Sequence, residues 1–351
     1  MASNARSRAV PALVLSAALA LSVAGCSGGG GHHNPGIPEP KPGKVAPFSL
    51  AKLNTKYDVG HAASGASSSF VAGDRSGDVY AMNTVGGSPV DVLRMTPGGT
   101  VSRFARVDLE DKEVTGMNTA PDGGLLIGRA GGLIQVDQHG GAEALPTAHR
   151  FRRPVPVGAR PDGSAVIVDQ DAVWSLKDGR ATKLHSLPKA KDPVAYTGSV
   201  DAHGTVYVQT GAITNLLVLE PGQKPRTLAL HGRVPGSGPL SSLTAFSMNP
   251  ARGGGFYAQL GPNPGSAVGN TEAGALVHVA PSGSLTVLAG GTAQKAGPAS
   301  CAPGKQYPAV NTPCVLPWFV VQSGNRVLAI GSAVPSPDSP LLALALRADS
   351  E

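Results

Sequence analysis

Short glycine-containing turns recur periodically along this chain, and they limit its fold more than any other feature. One series comprises Asp74-Arg-Ser-Gly77, Pro121-Asp-Gly123, Pro161-Asp-Gly163, Ala202-His-Gly204, Pro250-Ala-Arg-Gly253 and Gln322-Ser-Gly324, with the glycines 46, 40, 41, 49 and 71 residues apart. Each turn leads into a short apolar or alternating run, such as Leu125-Leu-Ile127, Ala165-Val-Ile-Val168, Thr205-Val-Tyr-Val208 or Arg326-Val-Leu-Ala-Ile330. A second series interleaves with the first: Thr96-Pro-Gly-Gly99, Gln138-His-Gly140, Lys177-Asp-Gly179, Glu220-Pro-Gly222 and Pro281-Ser-Gly283. Glycine adopts the positive φ that tight hairpins require, so such punctuation between β-prone runs marks antiparallel hairpins. Two hairpin turns in every repeat of about 40 residues give four short strands, the period of one propeller blade.

Counting units gives an all-β, six-bladed β-propeller over residues 45–351. A β-sandwich array and a five- or seven-bladed ring are the alternatives. With 47 glycines and 31 prolines in 351 residues, long helices are excluded, because each such residue inside a helix costs about 1–3 kcal/mol. The 41% hydrophobic content still supplies a sizeable core. The last unit shows only three strands, ending at Leu341–Arg347. An open edge is a liability that rings avoid by closure, so the segment Val45–Leu53 is expected to supply the missing outer strand. Insertions such as Gly232–Pro239, Gly261–Gly265 and the long last interval read as lying between blades, where they are best tolerated.

The N-terminus carries an address. Arg6 and Arg8 precede an apolar stretch that Pro11 interrupts and that is shorter than the roughly 20 residues a membrane span needs. Residues 1–25 therefore read as a signal peptide. Val23-Ala-Gly-Cys26 resembles the bacterial lipobox, which would leave Cys26 as the acylated first residue. Residues 26–44, Gly-rich and then Pro-rich, read as a tether. Within it His32-His33 is a weak metal site at best. The expected location is extracytoplasmic, lipid-anchored to the cell membrane, and the Gly/Ala/Pro-rich, Lys-poor composition points to a high-GC Gram-positive envelope.

With Cys26 acylated, Cys301 and Cys314 remain as a pair in an oxidising compartment and are expected to form a disulfide. Loss of the two leader arginines takes the charge surplus from +6 to +4, too small for a nucleic-acid footprint. The sequence holds no Gly-x-Ser-x-Gly elbow, His-Glu-x-x-His helix, phosphate-binding Gly-Lys loop or Cys-x-x-Cys pair. His139, His203 and His231 sit in or beside glycine turns and read as solvated. His278 reads as a hydrogen-bonded strand residue, and Trp174 and Trp318 as core. No catalytic residue, metal site or cofactor is assigned.

The turn pattern in Thr115-Gly-Met-Asn-Thr-Ala-Pro-Asp-Gly-Gly-Leu-Leu-Ile-Gly128, and the join from Gly283–Gly291 to Leu316-Pro-Trp-Phe-Val-Val321, resemble NHL-type and related six-bladed propellers. The resemblance covers most of residues 46–351. The family's Ala-Asp strand ending is mostly absent, Val168-Asp169 coming nearest. Several six-bladed relatives are lactonases or metal-dependent hydrolases with a Ca²⁺ held by Glu, Asp and Asn in the channel. That resemblance implies Asn118, Asp169 and Glu272 as conceivable ligands, although their spacing does not select them. The favoured reading is a monomeric binding or scaffold module. It would be anchored through Cys26 and would meet an envelope protein, a glycan or a small ligand, with no nucleic acid. The alternative is a metal-assisted hydrolase, lactonase or lyase.

Overall fold

Strands form where the turns place them. The computed structural model describes residues 36–49, 69–84, 87–188, 197–262, 274–290, 301–314, 316, 319–331 and 342–348. They belong to a compact unit spanning Asn34–Glu351, while the other unit, Met1–His33, lies outside the described residues. Six antiparallel sheets make a six-bladed β-propeller. Blade one contains β2 (Ser69–Gly73), β3 (Val79–Asn83), β4 (Val90–Met95) and β5 (Val101–Val107). Blade two contains β6 (Val114–Thr119), β7 (Leu125–Arg129), β8 (Gly132–Val136) and β9 (Ala142–Leu145). Blade three contains β10 (Val155–Ala159), β11 (Ala165–Asp169), β12 (Ala172–Lys177) and β13 (Arg180–Ser186). Blade four contains β14 (Thr197–Val200), β15 (Val206–Gln209), β16 (Leu216–Leu219) and β17 (Arg226–Leu228). Blade five contains β18 (Leu243–Pro250), β19 (Phe256–Pro262), β20 (Ala275–Val279) and β21 (Leu285–Gly290).

Blade six closes the ring in the manner the unpaired last unit demands. Its order is β23 (Phe319–Ser323), β24 (Arg326–Gly331), β25 (Leu342–Arg347) and then β1 (Lys44–Ser49). Val45 faces Leu346 and Ser49 faces Leu342 in that antiparallel pairing. A fifth, two-residue strand, β22 (Tyr307–Pro308), pairs with the outer edge of β1 at Lys44 and Val45, so the start of the closing strand is held on both edges. The first strands of successive blades touch one another around the whole circle, β23 meeting β2.

The core is divided among the seams between blades. Leu125 and Ile127 of β7 pack towards blade one, while Leu126 packs towards blade three. Because both faces of each sheet are covered, the second strands read as continuous apolar runs rather than alternating ones. Six clusters follow, one per seam. Valine dominates the seam between blades three and four, and large residues such as Phe256 and Tyr207 fill the next.

Eight of the turns share one hydrogen-bond pattern. In the first series Ala120 N–H donates to the Gly124 carbonyl at 2.8 Å and Gly123 N–H to the Ala120 carbonyl at 3.1 Å. The same pair recurs at Asp74, Arg160, Asp201 and Ala251, and in the second series at Thr96, Asp137 and Ala280. The residue before the last in each is glycine at positive φ, which the geometry requires. In blade five that glycine is Gly254, one position beyond the Gly253 of the sequence register. Gly261 and Pro262, expected in a loop, complete β19 instead. A bulge in β18 lodges the Phe246 ring where a side chain at Gly261 would lie.

Part of the expected tether also packs on the ring. Ile37 is buried in the cluster between blades six and one, beside Phe48, Met95 and Leu328. The Arg326 guanidinium donates to the Ile37 carbonyl at 2.7 Å, the Asn325 amide to Glu39 at 3.2 Å, and Lys41 N–H to Gln306 at 3.1 Å. Ordered chain therefore begins before residue 45, because a single apolar side chain in a polar spacer finds an apolar seam to cover.

Candidate functional site

Antiparallel connectivity sorts the connections onto two faces. Turns between first and second strands, and between third and fourth, lie at one end of every blade, so both glycine series share one face. Turns between second and third strands, and the crossings from blade to blade, leave from the opposite end. Hydrogen bonds confirm the grouping. Ala130 N–H reaches the Glu113 carbonyl and Gly131 N–H the Arg152 carbonyl, both at 2.8 Å, and Leu187 N–H reaches the Asp171 carbonyl at 2.6 Å.

On this loop face, blades two and three carry a connected set of charges. Arg129, at the end of β7, is buried and forms an ion pair with Glu110 at 2.8 Å, while Lys112 approaches the other oxygen of Glu110 at 2.7 Å. The hydrogen bond from Lys112, then that from Arg129, holds the Glu110 carboxyl below its ordinary range. Arg153 pairs with Glu113 at 2.6 Å, joining the crossing into blade two to the crossing into blade three. Asp108 accepts from the Ser88 hydroxyl at 2.7 Å and from Glu110 N–H at 2.9 Å, and these bonds lower its pKa in turn. Glu110, Asp111 and Gln170 have φ of 52°, 55° and 45° without being glycine. Such conformations persist only where the surroundings fix them, and they cluster at functional loops.

Of the residues that the resemblance implies as channel ligands, Asp169 and Asn118 accept backbone N–H groups. Asp169, at the end of β11, is buried and accepts the backbone N–H groups of Arg152 at 2.9 Å and Arg153 at 2.8 Å, so it fastens the crossing into blade three. Asn118 lies on β6 and its amide oxygen accepts Thr119 N–H at 2.8 Å. Glu272 lies outside the described residues. Among the described residues no three His, Cys, Asp or Glu side chains are placed to hold a cation together.

The other sequence-derived residues divide similarly. Cys301 and Cys314 form a buried disulfide in the loop that carries β22. Cys26, His32, His33 and Trp318 lie outside the described residues. His139, His203 and His231 are exposed, the first two on the glycine-turn face. His278 is buried in β20 with Nε2 3.3 Å from the Gly254 carbonyl. Trp174 is only half-buried, stacked 4.0 Å from His149 and lying 5.2 Å from the Lys183 ammonium, rather than being enclosed in the core. Sequence reasoning missed the loop-face charges. The Arg153–Glu113 partners stand 40 residues apart, which is one blade period, and that spacing was the available signal.

No protein-family model matches the chain, and no curated protein does. Solved structures do match it as a fold. A virginiamycin B lyase from Staphylococcus aureus superposes with a TM-score of 0.51 at 8% identity, covering 86% of this chain and 99% of its own. A gluconolactonase from Xanthomonas campestris gives 0.52 at 15% identity, with 86% and 89% covered. An auxiliary nutrient binding protein from Bacteroides thetaiotaomicron gives 0.52 at 10% identity, with 86% and 76% covered. The fold is thus a six-bladed propeller whose structural neighbours include enzymes and a binding protein.

Proposed function

We propose that this chain is an exported lipoprotein, acylated at Cys26, whose propeller is a binding or scaffold module that engages an envelope protein, a glycan or a small polar ligand through its loop face. The observation that carries the reading is the state of the loop-face carboxylates. Glu110, Glu113 and Asp169 are all committed to cations or backbone N–H groups. The shifts at Asp108 and Glu110 run downward, whereas a general acid working near neutral pH needs a raised value. A charged, hydrogen-bonded surface of this kind suits recognition better than proton transfer. The lipobox and the tether composition support the anchor.

The second reading, a lactonase or lyase, rests on the gluconolactonase and the virginiamycin B lyase among the structural neighbours. One experiment separates the two. Purified protein is assayed against aldonolactones and streptogramin B with Mg²⁺, Ca²⁺ or Mn²⁺, and the same preparation is screened for glycan binding. Binding without turnover is the expected result, and metal-dependent turnover would overturn the binding reading. For the anchor, Cys26→Ser is expected to move the protein from the detergent phase to the aqueous phase, and unchanged partitioning would contradict acylation there.

A further inference from the structure

The tether is rooted on one particular face of the ring. Lys44 begins β1, antiparallel to β25, and β25 ends at Arg347 on the glycine-turn side. Upstream of Lys44 the chain crosses that same face. Glu39 meets Asn325 beside the turn between β23 and β24. Ile37 covers the seam between blades six and one, and Gly36 lies against the turn at Gly99 between β4 and β5. The Arg326 guanidinium clamps this root by donating to the carbonyls of both Ile37 and Pro97.

Resting on the anchor reading above, we infer that the glycine-turn face looks towards the bilayer and the loop face looks away from it. The ten residues from Cys26 to Gly36 reach at most about 35 Å when fully extended. Rooted on the glycine-turn face, the leash meets the bilayer on that side directly, whereas turning the ring over would take up about half of its reach on a rim whose strands alone are about 17–20 Å long. The short, uniform turns therefore stand next to the membrane, and the variable connections meet partners arriving from the outer side. The partner proposed for the loop face is accordingly an outward one, rather than a lipid headgroup of the anchoring bilayer.

The test uses the full chain, expressed in its acylating host and reconstituted into phosphatidylglycerol–phosphatidylcholine vesicles containing an acceptor-labelled lipid. A donor dye is placed on Ser282→Cys, on the glycine-turn face, or on Asp171→Cys, on the loop face; both positions are exposed. Energy transfer from Ser282→Cys is expected to exceed that from Asp171→Cys about twofold, given a height difference of about 17–20 Å. Equal transfer, or the reverse order, overturns the orientation while leaving acylation intact. Mass spectrometry of the same sample reports acylation independently. A Cys26 without its diacylglyceryl group overturns the anchor reading, and the orientation with it.

Discussion

The two faces of the ring are built by different rules. On the glycine-turn face, eight turns repeat one hydrogen-bond pair, and several are wedged against the neighbouring blade. A Cβ at Gly140 would overlap the Phe104 carbonyl, and one at Gly283 the Ala229 carbonyl, so these turns lock onto the preceding outer strand. On the loop face, connections run from the two-residue turn at Ala130-Gly131 to the disulfide-bearing passage between β21 and β23. One face holds the circle together, and the other is left free to vary. Stability should therefore be concentrated on one side and recognition on the other, and unequal responses to matched perturbations would reveal it.

The largest effect is expected where the glycine-turn side admits the closing strand. Deleting Lys44–Ser49 bares β25 and empties the Phe48 and Val45 sites in two seams. Cooperative thermal unfolding followed by circular dichroism should disappear, and a retained sharp transition would show that β1 is dispensable. Next comes a matched pair of changes in turns. Gly283→Val combines a φ of 89° with the overlap at Ala229 and should cost about 3 kcal/mol in urea denaturation. Four glycines inserted after Gly236, in the crossing from blade four to blade five, should cost less than about 1 kcal/mol. Equal costs would erase the distinction between the faces.

Replacing both Cys301 and Cys314 by serine should cost about 3 kcal/mol, since the bridge closes a separation of 13 residues. The loss should fall on protection of β1, because the bridged loop carries β22 and the Ala309 N–H bond to the Gly43 carbonyl. Ile37→Ala should cost about 2 kcal/mol by opening the seam it covers. The smallest effect concerns pH. Glu110 titrates below its ordinary value of 4.5 when folded, so the unfolded chain binds more protons between the two values. Its contribution is complete above 4.5 and is lost as pH falls through the folded value. Glu110→Gln should therefore lower stability slightly at about pH 7 and flatten the acid limb, the difference from the parent vanishing once pH falls below the folded value.

Legibility in the sequence followed the same division. The turns were readable because each needs a glycine at one fixed position, and glycine is visible without any knowledge of neighbours. Closure by the N-terminal segment was readable because the last unit lacked a strand. Ile37 was missed inside a Pro-rich segment, although it is the one large apolar residue between Cys26 and Val45. Asp169 was read only as the nearest approach to a family strand ending and as a conceivable channel ligand, and its role in fastening Arg152 and Arg153 depends on a crossing that bends back over β11. The charges around Arg129 come from separate connections, and their meeting is a product of the circle rather than of any local pattern.

Hydrogen–deuterium exchange of the amides in β1 tests the central claim most directly, because every blade depends on the ring being shut. Ala46 and Phe48, whose amides face β25, should exchange as slowly as the β24 amides and open together with them. Free exchange of β1 alongside full protection of β24 would mean that the circle stands without its amino-terminal strand, contrary to the architecture described.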